Sequence, residues 1–275
     1  MTVPYAEVIG DPIAHSKSPI IHKFWLEKLG LDGDYRACLV RPTELGSYFE
    51  ARAGDENWRG CSITMPHKIE ALRYAPKHRD PSFPVEAINA AVRRESGVLE
   101  GVNTDVNGLL EPLLLEDRRL GQARGPAIVV GAGGVLFSVM MALATLGYGP
   151  IWVVLRDPAK MAKVASDYEG VHGFPIPLAD PLPPARLLIN ASPLGMSGFP
   201  PFPLSLGSIE EGGIVFDLVY EPVETPLLRD ARARGLRTLD GLTMLVGQAA
   251  VAFQLFFGKA APRQHDAELR EKLVA

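Results

Sequence analysis

The sequence predicts an α/β fold in two domains, and two observations carry that prediction. The first is the stretch Pro126–Gly149, PAIVVGAGGVLFSVMMALATLGYG. Ala127–Val130 reads as a buried strand, Gly131-Ala132-Gly133-Gly134 follow at once, and Val135–Leu146 is apolar at helical length. The second is the order of elements: strand-like runs alternate with helical ones along most of the chain. Strand, glycine turn and helix together point to dinucleotide binding. Gly131 permits the tight turn, Gly133 lets backbone N–H groups approach a pyrophosphate, and the helix N-terminus offers partial positive charge. The spacing is G-x-G-G, with Leu136 where a strict G-x-G-x-x-G has glycine or alanine.

The same stretch is uncharged and long enough to span a bilayer. A span would bury the glycine cluster in lipid. Strand, turn and helix explain why the glycines cluster, so no membrane partner is expected. The 275 residues are 47% hydrophobic and 22% charged, a globular composition that suits two modest domains. A net charge of −4 without blocks of like charge leaves no electrostatic footprint for nucleic acid. Cys38 and Cys61 lie in apolar strand-like runs without metal spacing; they read as reduced core residues of a cytoplasmic protein, and no metal is implied. The N-terminus lacks the basic and apolar regions of a signal peptide.

Taken in order, residues 5–10 read as a strand ending at the turn pair Asp11-Pro12. Ser18 as N-cap with Pro19 at N1 starts a helix that Gly30 stops, with Ile21, Trp25 and Leu29 on one face. Tyr35–Val40 is a strand, Thr43–Ala53 a helix capped by Thr43, and Trp58–Thr64 a third strand. Pro66 opens another helix, and 87–94 with 98–102 form a hairpin about Glu95-Ser96-Gly97. A periodic helix follows Asn103-Thr104-Asp105. Beyond the glycine turn come a strand at 151–155, a helix near 158–168, and strands at 187–190 and 213–219. A helix at 226–234, a short strand at 237–239, a long apolar helix at 242–257 and a polar terminal helix complete the chain. Prolines cluster at 175–203, which reads as irregular loops.

Polar clusters interrupt apolar strands at their C-terminal ends, where open α/β sheets place ligands. They are His15–Pro19, Gly60–Lys68, Ala87–Asn89, Gly101–Asp105, Asn190–Met196 and Asp240–Gln248. Singly, each reads as caps and turns; His15 and His22 read as a loop contact and a helix-face residue. Jointly, their order resembles the shikimate dehydrogenase family. The motifs are G-x-P-I-x-H-S-x-S-P (Gly10 to Pro19), G-x-N-V-T-x-P-x-K (Gly60 to Lys68) and G-x-N-T-D (Gly101 to Asp105). The N-A-[ST]-P-x-G-M run at 190–196, D-[LV]-V-Y-x-P at 217–222 and G-x-x-M-L-x-x-Q at 241–248 also match, so the resemblance spans residues 5 to about 258.

The resemblance implies oxidation of the 3-hydroxyl of shikimate, or the corresponding hydroxyl of quinate, with a nicotinamide cofactor. Lys68 matches the catalytic lysine and Asp105 its partner; a lysine beside a carboxylate can donate a proton and stabilise a developing alkoxide. Ser16 and Ser18 match residues that hold the substrate carboxylate, aided by the helix from Pro19. Thr64, Asn89, Tyr220 and Gln248 match others touching the carboxylate or ring hydroxyls. Gly131, Ala132, Gly133, Gly134 and Gly241 fall to the cofactor. NADP-using members carry an Asn-Arg-Thr-type segment whose arginine pairs with the 2′-phosphate; here Leu155-Arg156-Asp157 and Lys160 stand there. Arg156 and Lys160 favour a phosphate, whereas Asp157 repels one, accepts from a free ribose hydroxyl, or pairs with Arg156. The expected cofactor is NADP, with NAD the alternative. Three departures bear on substrate preference and cofactor fit: Ser62 replaces asparagine, Glu86–Ala90 replaces G-A-x-N-T, and Val135–Ser138 replaces small residues.

Residues 1–105 with 241–275 are therefore expected to form the substrate domain and 106–240 a Rossmann-type dinucleotide domain, with the active site in a cleft between them. The expected reaction is reversible NADPH-dependent reduction of 3-dehydroshikimate to shikimate, a step of aromatic amino-acid (chorismate) biosynthesis, in a cytoplasmic monomer or homodimer. The alternatives are an NAD-dependent quinate/shikimate dehydrogenase and a dinucleotide sensor without turnover, which has no need of Lys68 and Asp105.

Overall fold

In a computed structural model, residues 3–76, 87–120, 124–176 and 181–275 are described. Glu86, and 177–180 of the proline-rich stretch, lie outside them. The described residues fall into two compact units, 3–76 with 87–107 and 245–275, and 108–244.

The first unit is built on a five-stranded sheet in the order β2-β1-β3-β4-β5. Its strands are β1 (Tyr5–Gly10), β2 (Asp34–Leu39), β3 (Trp58–Ile63), β4 (Ala90–Arg93) and β5 (Leu99–Val102). β1 runs parallel to both neighbours, whereas β3–β4 and β4–β5 are antiparallel. Every residue of β1 is buried, as expected of a central strand covered on both faces. One face packs Ile9, Cys61 and Ile63 against Leu45, Tyr48 and Phe49 of α2 (Leu45–Ala53). The other packs Ala6, Val8, Ala90 and Val92 against Ala252 and Phe256 of α7 (Gly241–Phe257). Helices α1 (Ser18–Leu29) and α8 (Asp266–Val274) complete the unit. Cys61 is buried and Cys38 half-buried, and both are free thiols.

Three helix starts differ from the sequence reading. Ser18 is the first residue of α1 rather than its cap; Lys17 takes the cap position, and the Ser18 N–H reaches Ser16 Oγ at 3.4 Å. Thr43 does not cap α2, because Pro42–Glu44 form a 3₁₀ turn closed by Glu44 on the Arg41 N–H, 2.9 Å. Pro66 opens no α-helix, and only a 3₁₀ turn follows, at Glu70–Arg73. The reason is competition for one acceptor. The Lys68 carbonyl takes the Ile88 N–H at 2.9 Å, so Leu72 turns back to Ile69 at 3.2 Å instead of closing an α-helical bond. The buried face of α1 is Ile21, Phe24 and Trp25, while Leu29 is exposed.

His22 lies inside this unit, fully buried and stacked on Tyr35 with ring centroids 3.9 Å apart. Burial pulls its pKa from the usual 6.5 to about 3, so the folded imidazole stays neutral. Between those values the unfolded chain binds one more proton than the folded one, so this contribution to stability is lost as pH falls through the window. The expected slope is up to about 1.4 kcal/mol per pH unit. His22→Phe is expected to flatten unfolding free energy against pH between about pH 6 and pH 4; equal slopes for the two proteins would contradict this.

The second unit carries a six-stranded sheet in the order β11-β10-β9-β6-β7-β8, with every pair parallel. Its strands are β6 (Ala127–Val130), β7 (Ile151–Leu155), β8 (Val171–Pro175), β9 (Ala185–Asn190), β10 (Ile209–Asp217) and β11 (Arg237–Leu239). Renumbered from β6, that order is 3-2-1-4-5-6 reversed, the doubly wound arrangement with its switch point between β6 and β9. β8 escapes a pattern reading because Gly173 and Pro175 interrupt it; it is an edge strand, where both are tolerated. Val129, Leu187 and Ile189 pack against Val139 and Leu143 of α4 (Leu136–Leu146). Ile128, Leu188 and Val215 pack on the opposite face against Leu227 and Leu228 of α6 (Pro226–Ala233). Helices α3 (Asp105–Leu120) and α5 (Pro158–Asp167) are the others. Among the described residues no helix is long and apolar enough to cross a membrane.

Candidate active site

In the first unit, chain ends of several elements bring polar side chains together around Asn89, which immediately precedes β4. Its Oδ1 accepts from the Thr104 N–H at 2.6 Å, and its Nδ2 donates to Thr104 Oγ1 and to Asp105 Oδ1, both at 2.8 Å. A longer contact, 3.3 Å, reaches Gln248 Oε1 on α7. Asp105 Oδ2 accepts from the Lys68 ammonium. Both carboxylate oxygens are thereby engaged and the carboxylate cannot turn away from the lysine. The Lys68 side chain is 16% exposed and that of Asp105 7%, so the pair is partly desolvated and its attraction little screened. Asp105 is the only partner of the Lys68 ammonium among the described residues, which leaves two of its hydrogens for a ligand oxygen.

Ser16 and Ser18 lie at the start of α1, half-buried and buried, and Thr64 follows β3 half-buried. The hydroxyls of Ser18 and Thr64 have no hydrogen-bond partner among the described residues, so both are available to a ligand. Thr104 was not singled out from sequence, although it sits in the Gly101–Asp105 motif and is fully buried at the centre of the cluster. Ser62 is completed by Tyr35, whose hydroxyl reaches from β2 to Ser62 Oγ at 2.7 Å. The bond spans β1, which lies between the two strands.

The second unit holds a cavity of about 380 Å³ at the C-terminal ends of β6, β7 and β9. Gly131, Ala132, Gly133, Arg156, Asp157 and Lys160 line it, facing a wall formed by 191–194. Gly131 has φ 105°, and a Cβ there would lie 2.7 Å from the Ala191 carbonyl oxygen, so only glycine fits. Gly133 is exposed with nothing within 4 Å of a Cβ, which leaves the turn open to a ligand. Gly134 is exposed and outside the lining; Gly241 starts α7, packed against the Leu218 carbonyl. Tyr220 also lies in this unit, beyond β10, and burial pushes its hydroxyl pKa up, with Glu221 adding to the effect.

Asp157 caps α5: its Oδ1 accepts from the N–H groups of Ala159 and Lys160 at 2.9 and 3.2 Å. Arg156 and Lys160 are exposed at the cavity, and neither has an ion-pair partner among the described residues. Arg156 and Asp157 therefore do not pair. A glycine turn open to an anion, with two uncommitted cations at the next strand end, fits a dinucleotide that carries an extra phosphate.

A doubly wound sheet with this turn at its switch point, joined to a unit carrying a desolvated lysine–aspartate pair, defines a two-domain α/β dehydrogenase. Residues 8–91 match the family model of the shikimate dehydrogenase substrate binding domain, and 241–268 that of the shikimate 5′-dehydrogenase C-terminal domain. The NADP-dependent shikimate dehydrogenase of Sphingopyxis alaskensis is 47% identical over 272 residues, covering 99% of this chain and 97% of that protein. Two solved structures are similar throughout. The Thermus thermophilus shikimate 5-dehydrogenase in complex with NADP(H) and shikimate is 34% identical with TM-score 0.82, covering 98% of this chain and 100% of that one. The 5-ketofructose reductase of a Gluconobacter strain is 26% identical with TM-score 0.84, covering 99% of both. The chain belongs to the shikimate dehydrogenase family.

Proposed function

We propose that this chain reversibly reduces 3-dehydroshikimate to shikimate with NADPH. The observation that carries the reading is the Lys68–Asp105 pair, fixed by Asn89 and left with donors to spare. Residues 1–105 and 241–275 serve as the substrate domain and 106–240 as the dinucleotide domain. When bound, the nicotinamide supplies the hydride. Lys68 places its ammonium on the ketone oxygen and passes it a proton as negative charge develops. Asp105 restrains that ammonium and balances its charge. Asn89, Gln248 and Thr64 orient ring hydroxyls, Ser16 and Ser18 receive the carboxylate at the start of α1, and Tyr220 adds a further contact. Gly131, Ala132 and Gly133 make room for the cofactor backbone, while Arg156 and Lys160 hold a 2′-phosphate. Asp157 Oδ1 caps α5 while its Oδ2 still faces solvent at the cavity, so the preference for NADP rests on Arg156 and Lys160. We place the enzyme in the cytoplasm, as a monomer or homodimer.

The test is initial rate with shikimate and quinate, each against NADP and NAD. Shikimate with NADP is expected to be the fastest combination. Arg156→Ala is expected to raise KM for NADP about tenfold and leave that for NAD nearly unchanged. Faster turnover of quinate or with NAD would move the assignment to an NAD-dependent quinate/shikimate dehydrogenase. No turnover in any combination would remove the reading.

A further inference from the structure

The first residues of two sequence motifs, Asn190 of 190–196 and Asp217 of 217–222, have no part in the chemistry above, yet in the second unit they meet. Asn190 ends β9 and Asp217 ends β10; they are register partners, and both side chains are fully buried. The Asn190 amide donates to Asp217 Oδ1 at 2.9 Å and to the Leu194 carbonyl at 2.9 Å. Its Oδ1 accepts from the Ser192 hydroxyl at 2.6 Å and the Ser192 N–H at 3.2 Å. Every polar atom of this amide is committed, so it has one orientation. Asp217 is held in turn by the Thr225 hydroxyl on Oδ2 at 2.6 Å and the Val219 N–H on Oδ1 at 3.1 Å. None of those partners is a cation, so the site bears the cost of an isolated buried carboxyl group; burial pushes its pKa up.

Apart from Asp217, each bond of the Asn190 side chain ends in residues 192–194, part of the cavity wall that faces the glycine turn. That wall also begins with Ala191, whose carbonyl is the atom a Gly131 side chain would strike. A shift of the wall therefore alters the width of the cavity directly. Resting on the reading of this cavity as the cofactor site, we infer that Asp217 and Asn190 are paired positioning residues that set NADP(H) affinity by holding the 191–194 wall against the glycine turn.

The inference is tested by titrating NADPH fluorescence in the full chain and by measuring KM for each substrate. Asn190→Asp places a second carboxylate against Asp217. It is expected to raise the NADPH dissociation constant about tenfold or more while KM for 3-dehydroshikimate changes less than about twofold. Adding Asp217→Asn removes the second carboxylate, although the Leu194 carbonyl stays without its donor. Part of the lost affinity is then expected to return. Should Asn190→Asp not fold, Thr225→Val serves. It removes the Asp217 Oδ2 bond at a residue outside the cavity lining, and is expected to weaken NADPH binding about threefold, whereas Thr225→Ser restores it. Wild-type affinity in Asn190→Asp, or no recovery in the double variant, overturns the inference while leaving the cofactor reading intact. Failure of the wild-type chain to bind either NADPH or NADH removes that reading and the inference with it.

Discussion

Replacing Lys68 with methionine is expected to lower kcat for shikimate oxidation on the order of a thousandfold, with a much smaller change in KM. Methionine keeps the length and most of the packing of the stem, which is 16% exposed, and removes only the ammonium. On the proposed mechanism, what is lost is proton transfer and stabilisation of charge on the substrate oxygen, both of which matter at the transition state more than in the bound complex. Asp105 retains Asn89 on Oδ1, so the cluster has no reason to collapse. Asp105→Asn makes the complementary case. The new amide can present its oxygen to Lys68 or to Asn89 but not to both, so one donor is left facing another. Steady-state rates with both variants, alongside shikimate binding, decide the matter. Turnover of the Lys68 variant within about tenfold of wild type would show that the proton travels by another route.

The resemblance singles out that lysine through a local motif, but the sequence does not show how it is presented. Gly60 to Lys68 reads as a strand leading to a helix opened by Pro66, yet the Lys68 carbonyl is captured by Ile88 from far along the chain, and the helix gives way to a 3₁₀ turn. The same contrast recurs elsewhere. Gly30 and Gly131 act locally and could be assigned from residue type, since a helix stop and a tight turn each need a positive φ. Thr104 and Tyr35 act through partners in other elements, and no pattern of neighbours in sequence reveals them. The sequence leaves Asp157 open between repelling a phosphate, accepting a ribose hydroxyl and pairing with Arg156, whereas the fold shows its Oδ1 bent back onto its own helix. The parallel order of the second sheet follows from alternating elements, while the antiparallel β4 and β5 of the first follow from one recognisable hairpin. Pairing across a sheet, such as Asn190 with Asp217, belongs to topology rather than to either motif.

Glu7 carries the other large expected effect. It is a carboxylate in β1, a strand buried at every residue. The charge is tolerated because Arg52 grips it with two bonds, Nε to Oε2 at 2.7 Å and Nη2 to Oε1 at 2.9 Å, and the Tyr48 hydroxyl adds a third at 2.8 Å. Arg52→Met strips the counter-charge and leaves a carboxylate in the core with one neutral donor, at an expected cost of about 3 kcal/mol. Glu7→Leu combined with Arg52→Met removes the charge as well, and most of that loss is expected to return, because a buried ion pair gives little net stability over apolar packing. Trp25 and Trp58 are both buried in this unit and Trp152 lies in the other, so urea unfolding followed by fluorescence in a Trp152→Phe background reports on the relevant core. If Arg52→Met unfolds at the wild-type urea midpoint, the Glu7 charge is being neutralised by something other than Arg52. If the double variant is no better than the single one, packing around the guanidinium stem, rather than the uncompensated charge, is what the substitution destroyed.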